Sequence, residues 1–322
     1  MIRLILMLIL ISAAPLLAAA HEVKPAYLDI EQSHDAAFKI VWKQPVTDGN
    51  RLRLEPVFPE TCLVSTRAIH QTSQTYIERY QIDCDLRSGR LEIAGLERTL
   101  TDVFVRLKRM DEPAIHAVLR PSDRTFELGS GDDSGHHDFL RFGVEHILQG
   151  YDHLLFVIGL VLITRIRYLL VTVTAFTLAH SLTLAWSVLT NADIPQTAVE
   201  IIIAMSLIFL AREAFEHLKN KRRPQSLKPW LVAFLFGLIH GLGFAGALRE
   251  TGLPQDERAL ALLYFNLGVE FGQLAFVLVL LLVGAVLLRL LPRLFRYIQL
   301  GAAYLIGVAG AVWMIQRLFN LS

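Results

Sequence analysis

The sequence predicts a membrane all-α bundle of six transmembrane helices preceded by an exported β-sandwich-like domain. Hydrophobic residues make up 53% of the 322 residues and charged residues only 19%. From about Gly143 onward the chain is a succession of apolar runs near the ~20 residues that cross a hydrocarbon core. Before that point it alternates polar and apolar residues at the two-residue period of half-buried strands. A net charge of +1 gives no reason to expect nucleic acid as a partner.

The first twenty residues carry Arg3, an apolar run from Leu4 to Leu17, and Ala18-Ala19-Ala20 before His21. A basic start, an apolar centre and small residues at the exit make a secretory signal peptide, with an uncleaved first helix as the alternative. Export fits the cysteines. Cys62 and Cys84 are the only two and both lie in the polar half, where an oxidising compartment favours a disulfide over a metal pair. Around them AFKIVWKQ, RLRLEPVF, TYIERYQI, RLEIAGL, DVFVRLKR and AIHAVLR read as short strands, so residues 21–128 form the exported β-rich domain. Residues 129–142 contain GSGDDSGHHDF and read as a solvated linker. Asp132, Asp133, His136, His137 and Asp138 offer a second reading, a cation-collecting mouth.

Residues 143–322 divide into six spans near Gly143 to Thr164, Tyr168 to Thr190, Pro195 to Phe215, Pro229 to Arg249, Ala259 to Leu288 and Tyr297 to Phe319. With the β-domain outside, the connections after spans one, three and five face the cytoplasm. These carry Arg165 and Arg167, then Lys219, Lys221, Arg222, Arg223 and Lys228, then Arg289, Arg293 and Arg296. The outward connections are poor in basic residues, so positive charge inside supports an outside N-terminus and, with an even number of spans, an outside C-terminus.

Polar residues within these spans carry the functional signal, because an unpartnered polar group in hydrocarbon costs several kcal/mol. A rise of 1.5 Å per residue puts His153, His180, His240, Asn266 and Glu270 roughly 12–18 Å below the outer surface, with Asp152 beside them and His146 and Glu200 nearer that surface. His146, Gln149 and His153 share one helix face; Thr177, His180 and Ser181 a second; Asn266, Glu270 and Gln273 a third. Asp152 points about 100° away from His153 and serves as a supporting group or a bond to a neighbouring helix. Gly237 and Gly241 flank His240, and Gly268 and Gly272 flank Glu270, which lets helices approach closely. His146, Ser181, Ser206 and Gln273 read equally well as helix-to-helix hydrogen bonds. Imidazole with carboxylate suits nickel, cobalt, zinc or iron. The membrane half has no cysteine and only Met205 and Met314, which disfavours cuprous ion. No nucleotide-binding signature is present, so transport would not be driven by ATP hydrolysis in this chain.

Taken in order, HILQGYDH, FTLAHSLTL, the Glu200 segment VEIIIAMSL, FGLIHGLGFAGAL and FNLGVEFGQL resemble the HupE/UreJ family, in its branch with a large exported N-terminal domain. The resemblance implies a divalent-metal permease for nickel or cobalt in a bacterial inner membrane. It implies partners among metal-delivery or metalloenzyme-maturation proteins. It carries over His146, Asp152, His153 and His240 as metal ligands. His180, Glu270, Asn266 and Glu200 complete the candidate set. Nickel members of the family carry an F-H-G-x-A-H-G-x-E element; this chain has one histidine in LIHGLGFAGAL and no acid three residues behind its glycine, so the resemblance leaves the metal open among nickel, cobalt and zinc. A rival reading is an intramembrane zinc-dependent hydrolase, with Asp152 or Glu270 as general base and Ser181 or Asn266 as oxyanion donor. A third makes the exported domain the main player, with His21 chelating copper at the mature N-terminus.

Overall fold

A computed structural model describes residues 25–34, 37–47, 50–72, 75–99, 101–110, 112, 114–129, 135–190, 192, 194–219, 228–250 and 258–319. The signal segment, His21, Asp132 and Asp133 lie outside these residues. The chain divides into two compact units, one of residues 23–138 with 247–254, the other of residues 139–246 with 255–322.

The first unit is β-rich. Its strands are β1 (Ala26–His34), β2 (Ala37–Thr47), β3 (Asn50–Arg51), β4 (Glu55–Val57), β5 (Leu63–Gln71), β6 (Thr75–Asp83), β7 (Arg90–Ala94), β8 (Val103–Lys108), β9 (Ile115–Leu119) and β10 (Thr125–Glu127). Among the described residues the larger sheet runs β5-β6-β2-β1-β8-β9, with β3 paired to β2, and a smaller one runs β10-β7-β4. All pairings of the larger sheet are antiparallel except β1 with β8, which run parallel from Ala26↔Val103 to Glu31↔Lys108. The two sheets share one core, with Leu28, Ile30, Ile40 and Trp42 from the larger and Leu91, Ile93 and Phe126 from the smaller. Each such fully buried side chain contributes about 1.5–3 kcal/mol. Cys62 and Cys84 are disulfide-bonded and tie the start of β5 to the end of β6, where Leu63 pairs with Asp83.

The second unit is helical. Its helices are α1 (Gly135–Gln149, whose first residues belong to the preceding unit), α2 (Tyr151–Ile163), α3 (Ile166–Thr190), α4 (Gln196–Lys219), α5 (Pro229–Glu250), α6 (Arg258–Leu290) and α7 (Pro292–Phe319). Each expected span is helical, yet among the described residues only Ile166–Thr190, Ala259–Leu290 and Pro292–Phe319 are single helices both long and apolar enough to cross a membrane. A fourth crossing exists if α1 and α2, bent by 71°, are one broken span. The expectation of six regular spans is therefore met in part. Helix α4 carries Glu200, Arg212, Glu213 and Glu216, and the apolar part of α5, Pro229–Ala245, is short. The linker expected through residue 142 also differs, because helix α1 already begins at Gly135.

The core of this unit joins Phe156 and Leu160 of α2, Phe176 of α3, Leu207 and Leu210 of α4, Val232 of α5 and Ile306 and Trp313 of α7. A second cluster joins Val157 of α2 and Leu169 and Val173 of α3 to Val277 of α6. The outer surface keeps large apolar residues exposed, among them Leu170, Leu178, Leu182 and Trp186 of α3 and Leu278, Leu282 and Val286 of α6. That inside-out distribution is what a lipid solvent selects, since lipid tails leave apolar side chains at no disadvantage on the surface.

Candidate metal centre

The break between α1 and α2 places the first two histidines. Gly150 sits at the junction with extended backbone, φ −75° and ψ 93°. Its N–H donates to the His146 carbonyl and its carbonyl accepts from the Leu154 N–H, so hydrogen bonding continues across the bend. A Cβ at this position would lie 2.7 Å from His153 Nδ1 and 2.9 Å from the His146 carbonyl oxygen. Only glycine leaves room for the two rings to converge, and their centroids stand 4.8 Å apart.

Asp152 occupies the first turn of α2. Its Oδ1 accepts from the His153 backbone N–H at 2.8 Å and lies 3.0 Å from His153 Nδ1. The expectation that Asp152 points away from His153 holds for a continuous helix; at a helix start, the carboxylate instead folds back over exposed N–H groups. A proton on Nδ1 shared with this carboxylate leaves the Nε2 lone pair of His153 to act as a ligand.

His180 of α3 and His240 of α5 complete the cluster. His240 Nδ1 lies 2.9 Å from the Phe236 carbonyl oxygen, four residues earlier, which fixes the proton there and leaves Nε2 without a hydrogen bond. The close crossing of α3 and α5 sets its depth: a Cβ at Gly241 would meet the His180 carbonyl oxygen at 2.2 Å. His153 stands 6.0 Å from His180 and 5.1 Å from His240, and His146 6.2 Å from His180, ring centre to ring centre. His146, His153 and His180, all buried, each offer one nitrogen within 4.8 Å of the others. Three imidazole nitrogens that close in an apolar interior can converge on a borderline divalent cation with small adjustments of their rings.

Aromatic rings enclose this cluster on both sides. Toward the C-terminal end of α5, Phe142, Phe244 and Phe265 pack together, with Phe244 and Phe265 stacked at 5.1 Å and Phe244 4.2 Å from His146. Toward its N-terminal end, Phe156 packs on Phe176 at 5.2 Å and on Phe236 at 5.9 Å, and both Phe156 and Phe176 reach His240.

Of the other candidates, Asn266 borders the histidines, while Glu270 and Glu200 are held by other partners. Asn266 of α6 faces His180 while its amide donates to the Leu262 carbonyl. Glu270 accepts from the Thr174 hydroxyl at 2.6 Å, on the side of His180 toward the start of α3. Glu200 of α4 is paired with Arg317 of α7 at 2.8 Å. Of the proposed cation mouth, Asp138 accepts from the Val118 N–H and pairs with Arg120.

The HupE / UreJ protein family matches residues 124–317, three-fifths of the chain and every helix described above. The chain belongs to the HupE/UreJ family. This HupE/UreJ protein is accordingly a membrane protein, in agreement with its long apolar helices. No curated protein and no solved structure matches it.

Gly150 and the two phenylalanine layers are the parts of the centre that sequence reasoning missed. A signal for the layers exists: Phe142 lies four residues before His146, Phe156 three after His153, Phe176 four before His180, and Phe236 and Phe244 four on either side of His240. Each spacing puts a ring on the same helix face as a histidine, one turn away.

Proposed function

We propose that this protein is a divalent transition-metal permease, with nickel or cobalt as cargo, in which His146, His153, His180 and His240 hold the ion on its way through the bilayer. The observation that carries this reading is the convergence of three buried imidazoles, each from a different helix, to within 4.8 Å in an apolar bundle. Uncompensated polar groups at that depth are costly unless they share a site. Imidazole nitrogen suits nickel, cobalt and zinc better than magnesium or calcium, which favour oxygen. Asp152 positions His153, and Asn266 lies at the edge of the site.

The reading includes a topology of six crossings in the cell membrane. The α1–α2 pair counts as one broken span, the β-rich domain of residues 21–128 lies outside after removal of residues 1–20, and the C-terminus is also outside. Basic residues at the ends of α6 and α7, Arg289, Arg293 and Arg296, support a cytoplasmic turn there. A helix break at membrane depth is what ion-binding transporters use to bring backbone and side-chain ligands together, because irregular backbone is tolerated where protein buries it.

Elemental mass spectrometry of cells expressing equal amounts of wild type or His153→Ala tests the reading. Selective accumulation of nickel or cobalt that the substitution abolishes is the expected outcome. Equal metal content with tightly held zinc in the purified protein would move the assignment to an intramembrane hydrolase.

A further inference from the structure

Building on the permease reading, we propose that the seam between α3 and α6 carries a second cation station, made of oxygen donors on the cytoplasmic side of the histidine cluster, with Glu270 as its charged ligand. Asn266, Glu270 and Gln273 occupy positions i, i+4 and i+7 of α6 and share one face. Thr177 donates to Gln273 Oε1 at 2.8 Å and Thr174 donates to Glu270 Oε1 at 2.6 Å. Even so, Asn266 Oδ1, Glu270 Oε2 and Gln273 Nε2 are shielded from solvent and make no hydrogen bond. Gln273 is fully buried. Buried polar atoms that lack partners are expensive, so the two free oxygens on this helix face, Asn266 Oδ1 and Glu270 Oε2, point to a cation that completes them, while the Gln273 amide nitrogen, a donor, takes no part in holding it.

Position gives the row its direction. Thr177 and Thr174 precede His180 by three and six residues, which at 1.5 Å per residue is about 4.5 and 9 Å toward the cytoplasm. The straight path from the cluster in that direction is closed by Phe156, Phe176 and Phe236, whose rings offer a cation that has shed its water no oxygen or nitrogen ligand. The polar row passes beside that layer, starting at Asn266, which faces His180, and continuing through Glu270, which is half-buried at the edge of the seam beside Thr174, to buried Gln273.

Chemistry distinguishes the two stations. Carboxylate, amide and hydroxyl oxygens bind nickel and cobalt more weakly than a set of imidazoles does. Conduction needs a place tight enough to enter and a place loose enough to leave. The oxygen station is the place of release.

The test uses the full chain, purified and also reconstituted in phospholipid vesicles, with nickel and cobalt chlorides as probes. Wild type is compared with Glu270→Gln, which keeps shape and removes charge, with Thr174→Val, and with His153→Ala. The expected result is two binding steps in wild type. The weaker one is lost in Glu270→Gln and reduced in Thr174→Val, the tighter one stays within about twofold, and vesicle flux falls about tenfold or more. The proposal is overturned if Glu270→Gln transports like wild type, or if it loses the tight step as His153→Ala does, which would make Glu270 part of the histidine site. If wild type moves neither metal, the permease reading fails, and the second station is then decided by the weaker step alone: loss in Glu270→Gln upholds it, and its absence from wild type overturns it.

Discussion

Replacing Gly150 with alanine adds one carbon at the point where α1 bends into α2. The backbone at φ −75° accepts alanine, so the substitution acts through space and not through backbone strain. The added Cβ would stand 2.7 Å from His153 Nδ1, roughly 0.7 Å short of ordinary contact near 3.4 Å, and 2.9 Å from the His146 carbonyl. The His153 ring is held on its far side by His240 and Phe176 and at Nδ1 by Asp152, so it yields only by giving up one of these neighbours. Overpacking of this kind costs about 1–3 kcal/mol, and part of that cost falls on the geometry of the ligand set. A loss of about 10–100-fold in nickel affinity is expected, the size seen when groups that orient a metal ligand are disturbed. Competition titration of purified protein against a chelator of known affinity reads it, with gel filtration and helical circular dichroism confirming an intact fold. An affinity within twofold of wild type in a folded Gly150→Ala protein would refute the claim that this bend shapes the centre.

Asp152→Asn keeps the shape but removes the charge that holds His153 Nδ1–H; nickel affinity falls about 10–100-fold by the same titration, with little change in thermal stability. Cys62→Ser with Cys84→Ser releases a closure spanning 22 residues and lowers the stability of the β-rich unit by about 3 kcal/mol, read as a shift in its denaturant midpoint. In the same unit, burial chiefly, together with the Glu78 carboxylate, raises the Tyr80 phenol above its ordinary pKa of 10.0, against the lowering effect of Arg67. The folded state therefore holds that proton longer than the unfolded chain does. Its contribution to stability is complete below pH 10 and is lost as pH rises beyond it, and Tyr80→Phe flattens this alkaline loss in a pH series of denaturant melts.

Much of the membrane half was legible because burial in lipid makes polarity informative. His146, His153, His180 and His240 stood out against their apolar neighbours, and rise per residue sufficed to bring His153, His180 and His240 to a common level. The same reckoning misplaced Glu270, since a depth estimate carries no information on which hydroxyl a long side chain will reach; Thr174 draws it toward the start of α3. Glu200 was similarly drawn off by Arg317, a partner 117 residues away that helical periodicity cannot reveal. The bend at Gly150 was hidden because hydropathy does not register a change of direction: HILQGYDH is as apolar on either side of the glycine as one straight span would be. In the β-rich half, alternation marked β2, β6, β7, β8 and β9. Strand β5 is weakly patterned, with Leu63, Val64 and Ile69 all exposed at a sheet edge, and its position is fixed by pairing with β6 and by the disulfide.

Ion flux through the purified protein is the most direct measure of the central claim. Vesicles containing wild type or His153→Ala, loaded with a fluorescent chelator and given external nickel, cobalt or zinc, report entry in real time. Rapid quenching by nickel or cobalt in wild type, reduced to the rate of empty vesicles in His153→Ala, is the predicted result. Identical rates in the two proteins, or a wild type no faster than empty vesicles for any of the three metals, would contradict it.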